Sequence, residues 1–264
     1  MKYFDSHAHY YDERFESEYE GSVDSLIGAL LSSTVSAILN VGTSPTTSRL
    51  AADMAKRHNG MYTALGIHPS DCQYLDTTLD SAVCEIEKMI KSPENKAVLL
   101  GEIGLDYHYP DTDRDLQLKY FDAQMSLARE LDIPVVIHDR DAHGDVMDMI
   151  KRHRGVRGVL HSFSGSAEMA EELSRLGYMI SFSGTITFKN ARRPREAAAQ
   201  LAREEVLIET DCPYLAPHPH RGTLNHSGYL SYTNAALAEV WGISEEECAR
   251  ITLENARRFF GINE

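Results

Sequence analysis

The run Leu131-Asp132-Ile133-Pro134-Val135-Val136-Ile137-His138 decides how the whole chain is read. Pro134 has no N–H to donate and its ring crowds the preceding turn, so it ends a helix, but it can open a strand. Upstream, Leu116, Tyr120, Ala123, Leu127 and Leu131 recur at helical spacing, so residues 113–131 read as an amphipathic helix with that stripe buried. Downstream, Val135, Val136 and Ile137 are apolar without alternation, as expected of a strand covered on both faces. The apolar run stops at a histidine.

The same unit recurs along the chain. Strands are predicted at 3–5, 36–41, 62–65, 98–102, 135–138, 159–161, 179–182 and 206–209. Helical periodicity falls between them, at 18–31, 46–58, 79–91, 113–131, 145–152, 167–176 and 191–202, with a terminal pair at 232–241 and 245–260. Strict β-then-α alternation with buried strands implies an α/β fold with a parallel sheet. Eight repeats favour closure into a (β/α)8 TIM barrel over an open doubly wound sheet, because no glycine-rich dinucleotide fingerprint follows the first strand. A length of 264 residues, 42% of them hydrophobic, suits a single domain spanning 1–264.

Charge and cysteine usage narrow the class. Lys+Arg is 26 against Asp+Glu 40, a net charge of −14, which argues against holding nucleic acid on a broad basic surface. It leaves room for a nuclease whose phosphate-binding charge comes from metal ions in a pocket. Cys72, Cys84, Cys212 and Cys248 lack Cys-x-x-Cys spacing and read as reduced, mostly buried thiols. No basic-then-apolar leader and no apolar run of ~18–20 residues is found, so the expectation is a soluble, cytoplasmic protein without a membrane partner.

Polar residues collect where the predicted strands end. His7 and His9 follow the first, and a strand's period of two turns both to one face with Ala8 aside. His68 follows the third, Glu102 and Asp106 end the fourth, His138 the fifth and His161 the sixth, and Glu209 and Asp211 end the eighth. In a barrel these ends converge on the rim that carries the active site. A lone His after a strand is more often a hydrogen-bonded structural residue, which is the plain reading of His68, His108, His143 and His226 taken singly. His218-x-His220, in a proline-rich loop, reads as solvated. Glu102, His138, His161 and Asp211 are different: each sits just past an apolar run, where a polar group is costly unless paired or coordinated.

Four imidazoles and two or three carboxylates exceed one tetrahedral zinc but suit two ions sharing a bridging carboxylate. The mixed N/O set fits zinc, manganese, cobalt or nickel, with magnesium, which prefers oxygen, at a third or weaker site. Two such ions serve in-line displacement at a phosphodiester, or hydrolysis of an ester or amide. No Gly-x-Ser-x-Gly elbow, no Gly-x-x-x-x-Gly-Lys-Ser/Thr loop and no organic cofactor signature offers another route.

At this point a resemblance emerges. His7-Ala8-His9, Gly66-Ile67-His68-Pro69, Gly101-Glu102-Ile103-Gly104-Leu105-Asp106-Tyr107, Val136-Ile137-His138-Asp139-Arg140-Asp141-Ala142, His161-Ser162-Phe163-Ser164-Gly165 and Glu209-Thr210-Asp211-Cys212-Pro213-Tyr214-Leu215 resemble the motifs of the TatD family of metal-dependent deoxyribonucleases. That family belongs to the amidohydrolase-like metal-dependent hydrolases. The resemblance runs from residue 3 to about 262. It implies a barrel with two or three divalent ions that hydrolyses DNA phosphodiesters, often as a 3′→5′ exonuclease on single strands. It implies His7, His9, Glu102 and Asp211 around one ion, and Glu102, His138 and His161 around the other. Asp211 would orient or deprotonate the attacking water, making it and Glu102 the catalytic pair. Glu209 would support a further ion or stand behind the ligands, and His68, Arg140, Arg221 and Asn225 would face substrate. One stretch departs from the family pattern Arg-Gly-Lys-Arg-Asn-Glu-Pro: here it is Arg221-Gly222-Thr223-Leu224-Asn225-His226-Ser227, short of two basic side chains. That loss bears on the substrate and leaves open RNA or tRNA in place of DNA, including a D-aminoacyl-tRNA deacylase on the same metal centre. A metal-binding barrel without activity is a third reading, disfavoured by the full ligand set.

Overall fold

The apolar runs form eight strands: β1 (Tyr3–Ala8), β2 (Val35–Val41), β3 (Met61–Leu65), β4 (Ala97–Asp106), β5 (Val135–Arg140), β6 (Gly158–Leu160), β7 (Tyr178–Phe182) and β8 (Val206–Ile208). The structure is a computed structural model and describes residues 1–262. Neighbouring strands pair in parallel, in chain order from β1 to β8, within one sheet. The sheet closes where β1 meets the end of β8. Ala8 bridges Cys212 in parallel, Ser6 Oγ donates to Ile208 O at 3.0 Å, and Asp211 N donates to His7 O at 2.9 Å. The expected (β/α)8 barrel is therefore the fold.

Phe4, Ala37, Leu39, Val41, Ala64, Leu99, Val136, Val159, Met179 and Leu207 form one apolar cluster with a residue from every strand, which is the barrel's interior. Helices cover the outside. They are α1 (Glu13–Glu18), α2 (Val23–Ser32), α3 (Pro45–Arg57), α4 (Leu79–Ile90), α5 (Arg114–Leu131), α6 (His143–Arg152), α7 (Ala167–Arg175), α8 (Arg192–Gln200), α9 (Leu230–Trp241) and α10 (Glu245–Phe260). The last of these seals one end: Phe260 stacks on Phe4 at 5.2 Å between ring centroids. Beside it, Asn255 Nδ2 donates to Val206 O at 2.9 Å.

Three expectations need correcting. The helix predicted over 18–31 begins only at Val23, as α2, and α1 before it is a helix the sequence reading did not place. Ser22 breaks the run by turning its hydroxyl into an N-cap acceptor for Ser25 N. In α5 the buried face is rotated from the Leu116–Leu131 stripe: Tyr120 and Leu127 of that stripe are buried, but so are Gln117, Phe121, Gln124, Met125 and Ala128, while Leu116, Ala123 and Leu131 are only partly covered. Two glutamines hold core positions because each has backbone partners there, described below. Finally, β4 continues past Glu102 to Asp106.

Two irregularities aim the site. From Asp5 to Ala8 the chain takes three steps while β2 takes two, Ile38 to Asn40. From Leu100 to Ile103 it again takes three while β5 takes two, Val135 to Ile137. Each extra residue resets which side chains face inward, so His7 follows Phe4, and Glu102 follows Leu99, into the interior at a spacing of three. Glycine makes the second possible. A Cβ on Gly104, at φ +131°, would lie 2.1 Å from His138 O, and one on Gly101 2.4 Å from Val136 Cγ1. Among the described residues no helix is long and apolar enough to cross a membrane.

Candidate metal centre

On β5 the inward residues are Val136 and then, one period on, His138; past β6 and β8 the same step leads from Val159 to His161 and from Leu207 to Glu209. Polar groups thus cap the apolar interior at the strands' C-terminal ends. Glu102, 2% exposed, lies at their centre. Its Oε2 is 3.2 Å from His7 Nε2 and 3.8 Å from His9 Nε2. Its Oε1 is 2.8 Å from His161 Nε2, 3.0 Å from His138 Nδ1 and 3.5 Å from His68 Nε2. Asp211 Oδ1 completes the first group, 3.4 Å from His9 Nε2 and 3.8 Å from His7 Nε2. One carboxylate faces two ligand sets.

The outer nitrogens explain what the inner ones can do. His9 Nδ1 donates to Val41 O at 2.7 Å, His138 Nε2 to Asp106 Oδ2 at 3.1 Å, and His161 Nδ1 to Glu209 Oε1 at 3.3 Å. In the neutral rings this turns lone pairs inward, against one another and against carboxylate oxygens. His7 Nε2 and His9 Nε2 are only 3.1 Å apart. Such an array is repulsive unless protons or cations lie between its members. Ligands on one ion at about 2.0–2.2 Å stand roughly 3–3.5 Å from each other. The separations here, from 2.8 to 3.8 Å, fit that spacing. His7, His9 and Asp211, with Glu102 Oε2, would hold one cation; Glu102 Oε1, His138 and His161, with His68 beside them, would hold the other.

The protonation equilibria of these groups carry the same tension. Burial alone would push the Glu102 carboxyl up, but His161, then His68 and His7, with a hydrogen bond from His138, hold it well below the usual carboxylate range. At His161 burial opposes charging, yet Glu102 and then Glu209 raise it well above an ordinary imidazole. His7 goes the other way: burial, then the neighbouring His161, lowers it. Burial also works against the ionised Asp211, and the His9 hydrogen bond, then the charge of His161, keeps it below its normal value.

Several predicted residues stand elsewhere. Glu209 is fully buried behind the ring of His161, accepting also from Ser162 N at 2.7 Å, so it orients a ligand from outside the cluster. Asn225 is fully buried too; its Nδ2 donates to Thr210 O at 2.8 Å and Tyr214 O at 2.7 Å. It pins the loop after β8 and cannot touch substrate. Arg221 lies outside the cavity lining, its guanidinium 4.3 Å from the Phe188 ring centroid. Arg140 does line the cavity. His108 and His143 pair with Asp141 and Asp139, and His226 Nδ1 accepts from Gly228 N, all as structural residues. His220 stacks on Tyr229 at 4.3 Å.

Two residues escaped the sequence reading, and a third, Asp106, was placed at the rim without a role. Asp106 shares Glu102's face of β4 at i+4, a signal that strand parity offered. Gln117 Oε1 accepts from Asp106 N at 2.9 Å while its Nε2 donates to Asp106 O at 3.1 Å. Gln124, one heptad on, makes the same pair with Ile67 at 2.8 and 3.0 Å, next to His68. Helix α5 thereby fixes two stations of the site by their backbones.

The TatD-related DNase family model matches residues 4–261. The chain belongs to the TatD-related DNase family. It is 38% identical over 262 residues to the metal-dependent hydrolase YabD of Bacillus subtilis (strain 168), covering 98% of this chain and 99% of that one. To the metal-dependent hydrolase YcfH of Escherichia coli (strain K12) it is 33% identical, covering 98% and 96%. Among solved structures, the TatD homologue YJJV of Escherichia coli K12 superposes with a TM-score of 0.89 at 29% identity, over 99% and 98% of the two chains. The chain is thus a metal-dependent hydrolase of this family.

Proposed function

We propose that the substrate is DNA, hydrolysed at phosphodiester bonds, with single strands attacked from the 3′ end. The observation that carries this reading is the pairing of the Glu102-centred ligand sets with an aromatic rim. The sets lie on the floor of a cavity of about 850 Å³, and Tyr109 and Tyr214, 51% and 43% exposed, stand at its edge. Exposed rings at the mouth suit the stacking of unpaired bases, which a duplex would not offer. Arg140, 5.5 Å from the Tyr109 ring centroid, supplies a fixed positive charge beside that platform.

His7, His9, Glu102, His138, His161 and Asp211 would hold divalent cations, which would supply Lewis acidity and a water of lowered pKa. The chain's own residues do the rest. Glu102 keeps the two ligand sets in register through its two oxygens. Asp106, Glu209 and Val41 O fix the tautomers of His138, His161 and His9, so each presents a lone pair inward. Asp211 is the most open of the carboxylates here, its side chain 13% exposed against 3% for Glu102. It stays ionised at neutral pH and accepts the proton of the attacking water. His68 and Arg140, both lining the cavity, orient the phosphate.

The altered loop at 221–227 favours keeping a second substrate in view, an ester joining a D-amino acid to tRNA. The test is a panel: 3′- and 5′-labelled single-stranded DNA, RNA, D-aminoacyl-tRNA and a simple phosphodiester, each with manganese, zinc, cobalt, nickel or magnesium added singly. The DNase reading requires shortening of DNA from the 3′ end that EDTA and Asp211→Asn both abolish. Release of the amino acid with DNA left intact would overturn it.

A further inference from the structure

The cavity mouth is electrostatically lopsided. Asp12, Asp71 and Asp139 line it, and among its described lining residues Arg140 is the one permanently positive group. A polyanion leaving the site across those aspartates would be repelled. On the side of α8 the sign reverses. Residues 184–195 carry Lys189, Arg192, Arg193 and Arg195 with no Asp or Glu, in a chain whose net charge is −14. Phe188, Asn190 and Pro194 from this segment line the cavity, so the cations between them stand at its edge.

Arg192 and Arg195 are committed to Glu196 and Glu239, at 3.5 and 2.8 Å. Lys189, Arg193 and Arg221 have no carboxylate within salt-bridge distance among the described residues. Lys189 and Arg193 are exposed, and Arg221, also exposed, lies over the ring of Phe188, itself part of the cavity wall. The rim therefore joins three uncommitted cations to a partly exposed ring, the combination that follows a phosphate backbone and stacks a base.

We propose that Lys189, Arg193 and Arg221, with Phe188, form a subsite for the phosphates of a single-stranded polynucleotide beyond the scissile bond. The proposal deepens the phosphodiesterase reading and rests on it. It also gives the departed 221–227 stretch a replacement: the positive charge missing there is supplied from the α8 side, across Phe188. The strand then leaves over α8, away from the aspartate rim.

The test compares the metal-loaded wild-type protein with the variant Lys189→Ala/Arg193→Ala/Arg221→Ala. Arg129→Ala/Arg154→Ala, at the barrel's opposite end, serves as the charge control. Binding of a fluorescent phosphorothioate oligothymidylate is titrated from low to moderate salt, and hydrolysis of a thymidine dinucleotide is measured alongside. Losing three phosphate contacts should weaken oligonucleotide binding about tenfold and flatten the slope of log K against log salt by about 2. Dinucleotide kcat/KM and metal content should stay unchanged, as should both binding and slope in the control. An unchanged slope, or an equal loss for dinucleotide and oligonucleotide, overturns the subsite. If the wild type binds the oligonucleotide through this rim yet cleaves neither substrate, the subsite stands and the phosphodiesterase reading falls.

Discussion

At one end of the barrel Phe4 stacks on Phe260, and the strands' first inward residues pack into one apolar cluster. At the other end, two or three residues further along the same strands, the inward positions hold His7, Glu102, His138, His161 and Glu209. The first end gains from burying apolar surface. The second gathers lone pairs and carboxylates that repel one another unless protons or cations lie between them, and it leaves His7 Nδ1 and Glu209 Oε2 buried with no partner among the described residues. Stability and chemistry are thus separated along the strand direction by about one inward layer. A substitution at either end should show in one property and spare the other.

The sharpest way to break this contrast is Glu102→Gln. With one of two shared oxygens lost, kcat/KM should fall at least about 10³-fold. Elemental analysis should find bound metal depleted. Phe260→Ala should do the reverse. It should cost about 3–5 kcal/mol in chemical denaturation, with metal content and kcat/KM of the folded fraction unaltered. An equal loss of metal in that variant would show the two ends to be coupled.

Smaller effects sharpen the division. Asp106→Asn keeps the size but weakens the acceptor behind His138, so metal affinity at the Glu102 Oε1 side should drop about 10–100-fold by competitive chelation. The His7–His9–Asp211 side should change less, and cobalt absorption spectra would tell the two apart. Gln117→Leu leaves the N–H and C=O of Asp106 unpaired in a buried place, an expected penalty of about 1–3 kcal/mol. It should also move Asp106 and so reproduce part of the Asp106→Asn chelation phenotype. A stability loss without that phenotype would make Gln117 a structural residue alone.

The alternation of strands and helices was legible because apolar periodicity and the turn chemistry around Pro134 are local signals. The ligand set was legible because each member is a polar residue ending an apolar run. What the sequence hid was registration. Strict alternation from Phe4 would send His7 outward, and from Leu99 it would send Glu102 outward; only pairing with β2 and β5 reveals the extra residue in each strand. Asn225 was misplaced for a related reason: its residue type suits substrate, but its role depends on backbone partners that sequence spacing does not bring together. Gln117 and Gln124 failed the other way, as polar residues read off the buried stripe because their partners lie on other strands' ends.

The barrel's seam carries one more consequence. The bridge between Ala8 and Cys212 joins segments more than 200 residues apart, and that same seam sets His7 and His9 against Asp211. A chain emerging from synthesis therefore carries His7 and His9 from its first moments, gains Glu102 with its fourth strand and acquires Asp211 only when its eighth strand docks. The ligand set is thus completed as a late, single event, and a truncation before Asp211 leaves it short of one carboxylate however well the earlier strands have assembled.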